Sequence, residues 1–104
     1  MKKRNTVLKE LKNISRNSKE YQELYMEVKD FFYKLDLYYC YKKNERILNY
    51  LESNVYLTDC EICALVPINK KGLLAFIESL NSFVLMLLEQ PKYQNLKKLY
   101  YQKK

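Results

Sequence analysis

The sequence predicts a mainly α-helical fold, and three observations predict it. Hydrophobic residues make up 48% of the 104 residues, which favours a folded chain over a disordered one. The chain contains a single glycine, so few residues favour a turn over a helix. Hydrophobic residues also recur at spacings of three and four, which is the period of one helix face. At this length we expect one domain, residues 1–104, with a modest core.

Residues 1–43 are predicted to hold the N-terminal helices. A short helix has its apolar stripe at Val7, Leu8, Leu11 and Ile14. Asn17 is the predicted N-cap of a second helix, which is long and strongly amphipathic. Its apolar face fits either the core or a dimer seam, because large aromatic side chains stabilise both. That face consists of Tyr21, Leu24, Tyr25, Val28, Phe31, Phe32 and Leu35.

Residues 44–80 are predicted to form a third helix and then a helix-turn-helix. The third helix begins at Asn44, buries Ile47, Leu48 and Leu51, and ends at Asn54. Thr58 is a good N-cap for the next helix, and Glu61 completes a capping box. Pro67 ends that helix and Asn69 caps the following one, which leaves a turn of about three residues. The inward positions of the pair are Ile62, Cys63, Val66, Ile68, Leu73, Ile77 and Leu80.

The stretch 57–80 resembles the helix-turn-helix of MarR-type and other winged-helix regulators. Positions in register with that pattern are Leu57, Thr58, Glu61, Ile62, Ile68, Leu73, Ile77 and Leu80. Cys63, Pro67 and Asn69 stand where the pattern has alanine, glycine and serine. The resemblance covers about a quarter of the chain. It implies a transcriptional regulator that acts as a homodimer, with the helices before this stretch helping to form the dimer.

The resemblance also implies which residues approach double-stranded DNA. The second helix of the pair would enter the major groove, and its first residues would make the base contacts. The residues assigned to DNA there are Thr58, Asn69, Lys70, Lys71, Leu74 and Ala75, joined by Lys92, Lys97 and Lys98 near the C-terminus.

The C-terminal segment, residues 81–104, is left open between two structures. Asn81 and Ser82 are predicted to end the preceding helix. The apolar run 83–88 and the segment after Pro91 would form the β-hairpin wing of a winged helix. Leucine, methionine, lysine and glutamine are helix formers, however, and Pro91 suits the first position of a helix. We favour the helical alternative.

Positive charge is concentrated at the two ends of the chain. The formal net charge is +7, with +5 in residues 1–16, +5 in residues 92–104 and −3 between them. Basic ends of this kind contact nucleic-acid phosphates in a sequence-independent way. Solvated helix ends that keep the protein soluble are the alternative explanation.

The composition argues against an enzyme, a metal site and a bound cofactor. The chain lacks histidine, the commonest general base, and one glycine cannot build a phosphate-binding loop. Cys60 and Cys63 have the spacing of a zinc or redox pair, but no histidine or second pair completes a metal site. A redox role for the pair stays open, since a helix N-terminus lowers a thiol pKa.

We expect a cytoplasmic protein that does not cross a membrane. The three cysteines are an odd number and do not suggest a disulfide framework. No apolar run approaches the ~18–20 residues that a membrane-spanning helix needs. The amphipathic start of the chain is unlike a signal peptide.

A second function remains open beside DNA binding. In size, charge and helix count the chain looks like the pediocin-like bacteriocin immunity proteins, which implies a helical bundle that binds a protein partner and no DNA. The apolar patch at Leu74 and Ala75 favours this alternative. The two capped helices in helix-turn-helix register favour DNA binding, which is our expectation.

Overall fold

The computed structural model describes residues 6–39, 43–52 and 57–102, and for residues 37–39 it describes the backbone alone. Its helices are α1 (Val7–Ser15), α2 (Lys19–Tyr39), α3 (Asn44–Glu52), α4 (Asp59–Leu65), α5 (Lys70–Leu88) and α6 (Gln94–Gln102). A short 3-10 turn, Pro91–Tyr93, leads into α6. Since the described residues contain no β-strand, the prediction of a mainly α-helical protein is confirmed.

Short polar side chains start the helices, as local hydrogen bonding requires. The hydroxyl of Thr6 accepts the backbone N–H of Lys9 at 3.1 Å and begins α1. The hydroxyl of Ser18 accepts the N–H of Tyr21 at 3.0 Å and begins α2. The cap of α2 is therefore one residue later than Asn17, the predicted cap. The shift leaves the predicted helix and its apolar face unchanged.

The core lies where α1, α2, α4 and α6 pack against α5, with α3 packed against α2 and α1. Most of the apolar positions predicted for α2 are buried in it, whereas Phe31 is 41% exposed. Two contacts fasten α6 and the turn before it to α2, because Glu20 accepts the N–H of Leu96 at 3.1 Å and Glu27 pairs with Lys92. The largest fully buried side chains include Leu8, Leu11, Leu24, Ile47, Leu48, Leu73, Leu80, Leu88, Tyr93 and Leu96.

The predicted break at Asn81 and Ser82 is wrong, because α5 runs without interruption from Lys70 to Leu88. The side-chain oxygen of Asn81 instead accepts the backbone N–H of Val7 at 3.0 Å, which caps the start of α1. Buried residues continue through the position of the predicted break at helical spacing: Ile77, Leu80, Val84, Leu87 and Leu88. Burial of this continuous face outweighs the turn preference of two polar residues.

The β-hairpin wing is not formed by residues 83–102, which the structure describes as helical apart from the short connection at 89–90. The helical alternative is therefore the correct one for this segment. Pro91 occupies the first position of the 3-10 turn, where its missing N–H costs no helix hydrogen bond.

The uninterrupted α5 also bears on the expectation that no apolar run is long enough to span a membrane. By length and composition alone, α5 is long enough and apolar enough to cross a membrane, although no such run was expected. In the structure one face of α5 packs against the other helices, with Leu73, Leu80 and Leu88 fully buried. A helix at the centre of a core has the same composition.

Candidate nucleic-acid interface

The turn between α4 and α5 is the centre of the candidate site, and local hydrogen bonds define both of its helices. Thr58 and Glu61 form the predicted capping box, with Glu61 accepting the N–H of Thr58 at 2.8 Å and Thr58 accepting that of Glu61 at 3.2 Å. These hydrogen bonds lower the pKa of the exposed Glu61 carboxyl. The N–H of Val66 closes the end of α4 by donating to Ile62 at 2.8 Å.

The start of α5 is built closely around Asn69 and Gly72. The Asn69 side-chain oxygen accepts the N–H of Gly72 at 2.7 Å, as expected for a helix cap. A Cβ atom on Gly72 would lie 2.9 Å from Cγ1 of Ile68, closer than carbon atoms approach without displacement. The only glycine of the chain therefore allows Ile68 to fold back against the first turn of α5.

Two basic residues at the start of α3, Lys43 just before the helix and Arg46 in its first turn, reach the same turn. The ammonium group of Lys43 donates to the carbonyl oxygen of Pro67 at 3.0 Å, and the Arg46 guanidinium donates to that of Leu65 at 3.0 Å. Carbonyl groups at the end of a helix lack partners within that helix, so these cations satisfy them. Neither residue was predicted from the sequence as a site residue. Neither carries a local motif, and only their hydrogen bonds to the end of α4 and to the turn after it place them here.

Four cations therefore surround the turn, and we call Lys43, Arg46, Lys70 and Lys71 the basic turn cluster. Lys70 and Lys71 are exposed in the first turn of α5, where the helix dipole adds positive potential. The ion pairs found within the described ranges use none of the four. The buried carboxylate of Asp36 lies beneath the start of α3, where it accepts the N–H groups of Asn44 and Glu45 at 3.0 Å.

The structure brings together only some of the residues assigned to DNA. Asn69, Lys70, Lys71 and Ala75 are exposed at the start of α5, Leu74 is half-buried beside them, and Thr58 is half-buried at the start of α4. Lys92, Lys97 and Lys98 lie at the far end of α5, which is about 27 Å long. There Lys92 pairs with Glu27 and Lys97 with Glu89, while Lys98 is exposed.

A second polar cluster lies in the interior, away from the basic turn cluster. Glu52 is buried at the end of α3 and accepts the hydroxyl of Tyr21 at 3.3 Å. Lys12 donates to the backbone oxygen of Glu52 at 3.0 Å, and Lys9 donates to that of Leu51 at 3.5 Å. Burial raises the pKa of the Glu52 carboxyl, and the nearby Lys12 and Lys9 only partly oppose that effect. This cluster joins α1 and α2 to the end of α3.

Replacing Glu52 by glutamine is expected to stabilise the protein at neutral pH. A carboxyl whose pKa is raised on folding favours the protonated state, so the wild-type protein loses stability as pH rises from 4.5, the ordinary value, through the raised value. Glu52→Gln removes this loss, and its advantage should disappear at lower pH. Urea unfolding from acidic to neutral pH measures the difference. Glu23→Gln, at an exposed position of α2, is the control. A Glu52→Gln protein that is less stable at every pH would contradict the prediction.

The cysteines do not form a metal site in the described parts of the chain. Cys60 is exposed and Cys63 half-buried on α4, and both are free thiols. No group of three or more potential ligands converges within those parts. Cys40 lies outside the described residues.

No known protein family, curated protein or solved structure matches this chain. The resemblance to MarR-type regulators rests only on the residues in register within 57–80.

Proposed function

We propose that this protein is a small DNA-binding protein that holds double-stranded DNA at the basic turn cluster. One observation carries the proposal. Lys43 just before α3, Arg46 within it and two lysines at the start of α5 surround an exposed turn, and none of the four takes part in the ion pairs of the described residues. Phosphate neutralisation by lysine and arginine supplies much of the affinity for DNA.

The start of α5 would lie in the major groove of the DNA. Lys43 and Arg46, at the start of α3, would contact the phosphate backbone of the DNA. Asn69 uses its side-chain oxygen as a cap, so its exposed amide nitrogen can donate to a base edge or a phosphate. The small Ala75 suits contact with a thymine methyl group. Glu78, exposed one turn beyond Leu74, would repel phosphates and confine the contact to the first two turns of α5. Direct base recognition is therefore limited, and phosphate contacts dominate.

We also propose that the protein acts as a transcriptional regulator in the cytoplasm, as a homodimer. A dimer would present two basic turn clusters to two half-sites of one duplex. Doubling the number of phosphate contacts would raise the affinity without any further base recognition.

Titration of a labelled random-sequence duplex, followed by fluorescence anisotropy, tests DNA binding directly. With four phosphate contacts the logarithmic salt slope is about −3.6, so affinity should fall about 150-fold between about 50 mM and about 200 mM salt. A slope nearer −7 would indicate that the basic chain ends also contact phosphates. Absence of binding at the lower salt concentration would reject the proposed function.

Exposed apolar side chains on α2 favour a second candidate, a helical-bundle protein that binds a protein partner and no DNA. Met26 is 61% exposed and Tyr33 46%, two helical turns apart on the outer face of α2. Large exposed apolar residues are typical of protein-interaction surfaces. Failure of DNA binding at low salt would leave this candidate as the better explanation of the fold.

A further inference from the structure

A groove of about 560 Å³ lies between α2 and α5, beside the basic turn cluster. Phe31 and Leu35 of α2 form one wall, and Ala75 and Phe83 of α5 form the other. Phe32 and Phe76 meet at the bottom of the groove, with ring centroids 5.0 Å apart. Its volume and apolar lining are those of a small-molecule site.

The groove is elongated along α5. Its α5 wall runs from Gly72 to Phe83, a distance of about 16 Å along the helix. Gly72, Ala75 and Ser79 are small, so they leave a trough along this wall. At the far end Phe31 stacks on Phe83, with ring centroids 4.3 Å apart. This shape fits a linear apolar chain better than a compact ring system.

Two lysines stand beside the other end of the groove, next to residues that line it. Lys71 precedes Ala75 by four residues, so it stands one helical turn ahead of Ala75 on the same face of α5. Asn44 lines this end, and the preceding residue, Lys43, reaches across to Pro67. The side chains that line the groove include no carboxylate. An apolar trough with cations at one end is complementary to an apolar chain with an anionic head group.

We propose that the groove binds a fatty-acid-like ligand, a single linear acyl chain that ends in a carboxylate. The acyl chain lies along the trough toward Phe31 and Phe83, and the carboxylate lies at Lys43 and Lys71. The same two lysines belong to the basic turn cluster, so the ligand and a DNA phosphate compete for them. This competition rests on the proposed function, whereas the ligand site itself does not.

Isothermal titration with decanoate, kept below its micelle concentration, tests the site. Binding should saturate at one decanoate per chain. Ala75→Trp fills the trough from an exposed helix position and should weaken binding by about tenfold or more, because a filled trough cannot admit the chain. Ala64→Trp places the same side chain on the exposed face of α4 and should leave the affinity unchanged. Binding that does not saturate, or that is equally strong in Ala75→Trp, would overturn the proposal.

The head-group contact has its own test. Lys71→Gln should weaken decanoate binding by about two- to fivefold, the range expected for an exposed ion pair. Binding of decanol, which has the same chain without a charge, should not change. If Lys71→Gln weakens both ligands equally or neither, the carboxylate does not lie at this end of the groove and that assignment is wrong.

Competition is measured separately with the labelled duplex. Decanoate should release DNA from the wild-type protein and not from Ser79→Trp, which fills the trough at an exposed position outside the residues assigned to DNA. If decanoate binds but the bound duplex stays in place, the competition is wrong and the ligand site stands. If the duplex does not bind at all, the proposed function fails, and the calorimetric titration still decides the ligand site.

Discussion

Replacing Leu73 by alanine is expected to lower the free energy of unfolding by about 2–5 kcal/mol, the range for truncation of a buried leucine. Leu73 is fully buried in the first turn of α5. Its side chain is buried in the same turn that exposes Lys70 and Lys71, so it holds the candidate interface on the core. Removing three carbon atoms there loses apolar burial and leaves a cavity that the neighbouring helices fill only in part.

Urea unfolding followed by circular dichroism measures this change. The urea concentration at the midpoint of unfolding should fall. The slope of the unfolding free energy against urea concentration should stay constant, because the surface exposed on unfolding is nearly the same. Leu99→Ala is the matched control, since Leu99 on α6 is 41% exposed and its truncation should cost much less. Equal losses in the two variants would show that the start of α5 is not packed as described.

Changing both Lys70 and Lys71 to glutamate is expected to abolish DNA binding while leaving the helical content intact. Both side chains are exposed, and no ion pair of the described residues would be lost. The change removes half of the basic turn cluster and places two negative charges where phosphates would lie. Negative charge in the first turn of α5 also suits the helix dipole, so the fold should not be weakened.

The matched control is Lys19→Glu with Lys34→Glu, at exposed positions of α2. It changes the net charge by the same amount but leaves the basic turn cluster complete. Its expected structural costs are the lost exposed pair of Lys34 with Asp30, about 0.3–0.5 kcal/mol, and like-charge repulsion of similar size toward Glu23 and Asp30, four residues away. Anisotropy titrations at low salt should show binding by the control and none by the Lys70 and Lys71 variant. Similar affinities would move the interface away from this turn.

Local chemistry explains which parts of the fold could be predicted from the sequence. The caps at Thr58 and Asn69 depend on residues three positions away, so a short stretch of sequence contains the whole interaction. The apolar stripe of α2 is equally local, since its period repeats over 21 residues. Residues 83–88 are too short a run to establish a period, which left a strand and a helix open.

The features that were predicted wrongly or not at all from the sequence depend on contacts between distant parts of the chain. Asn81 has the composition of a helix end, but its partner is Val7, 74 residues away. Lys43 and Arg46 become part of the candidate site only through hydrogen bonds to carbonyl groups 24 and 19 residues away. The groove beside the basic turn cluster likewise requires side chains of α2, α3 and α5 together. None of these pairings follows from residue type or spacing alone.

The hydrogen bond from the backbone of Val7 to the side chain of Asn81 also bears on the order in which the protein folds. Glu20 accepts a hydrogen bond from Leu96, 76 residues away, and Glu27 pairs with Lys92, 65 residues away. The partners of the first two helices in these contacts therefore lie in the last quarter of the chain. During synthesis α1 and α2 leave the ribosome long before those partners exist. Contacts of such long sequence separation are closed late, after the loop entropy has been overcome. The apolar faces of α1 and α2 therefore remain incompletely packed until the last helix has been synthesised.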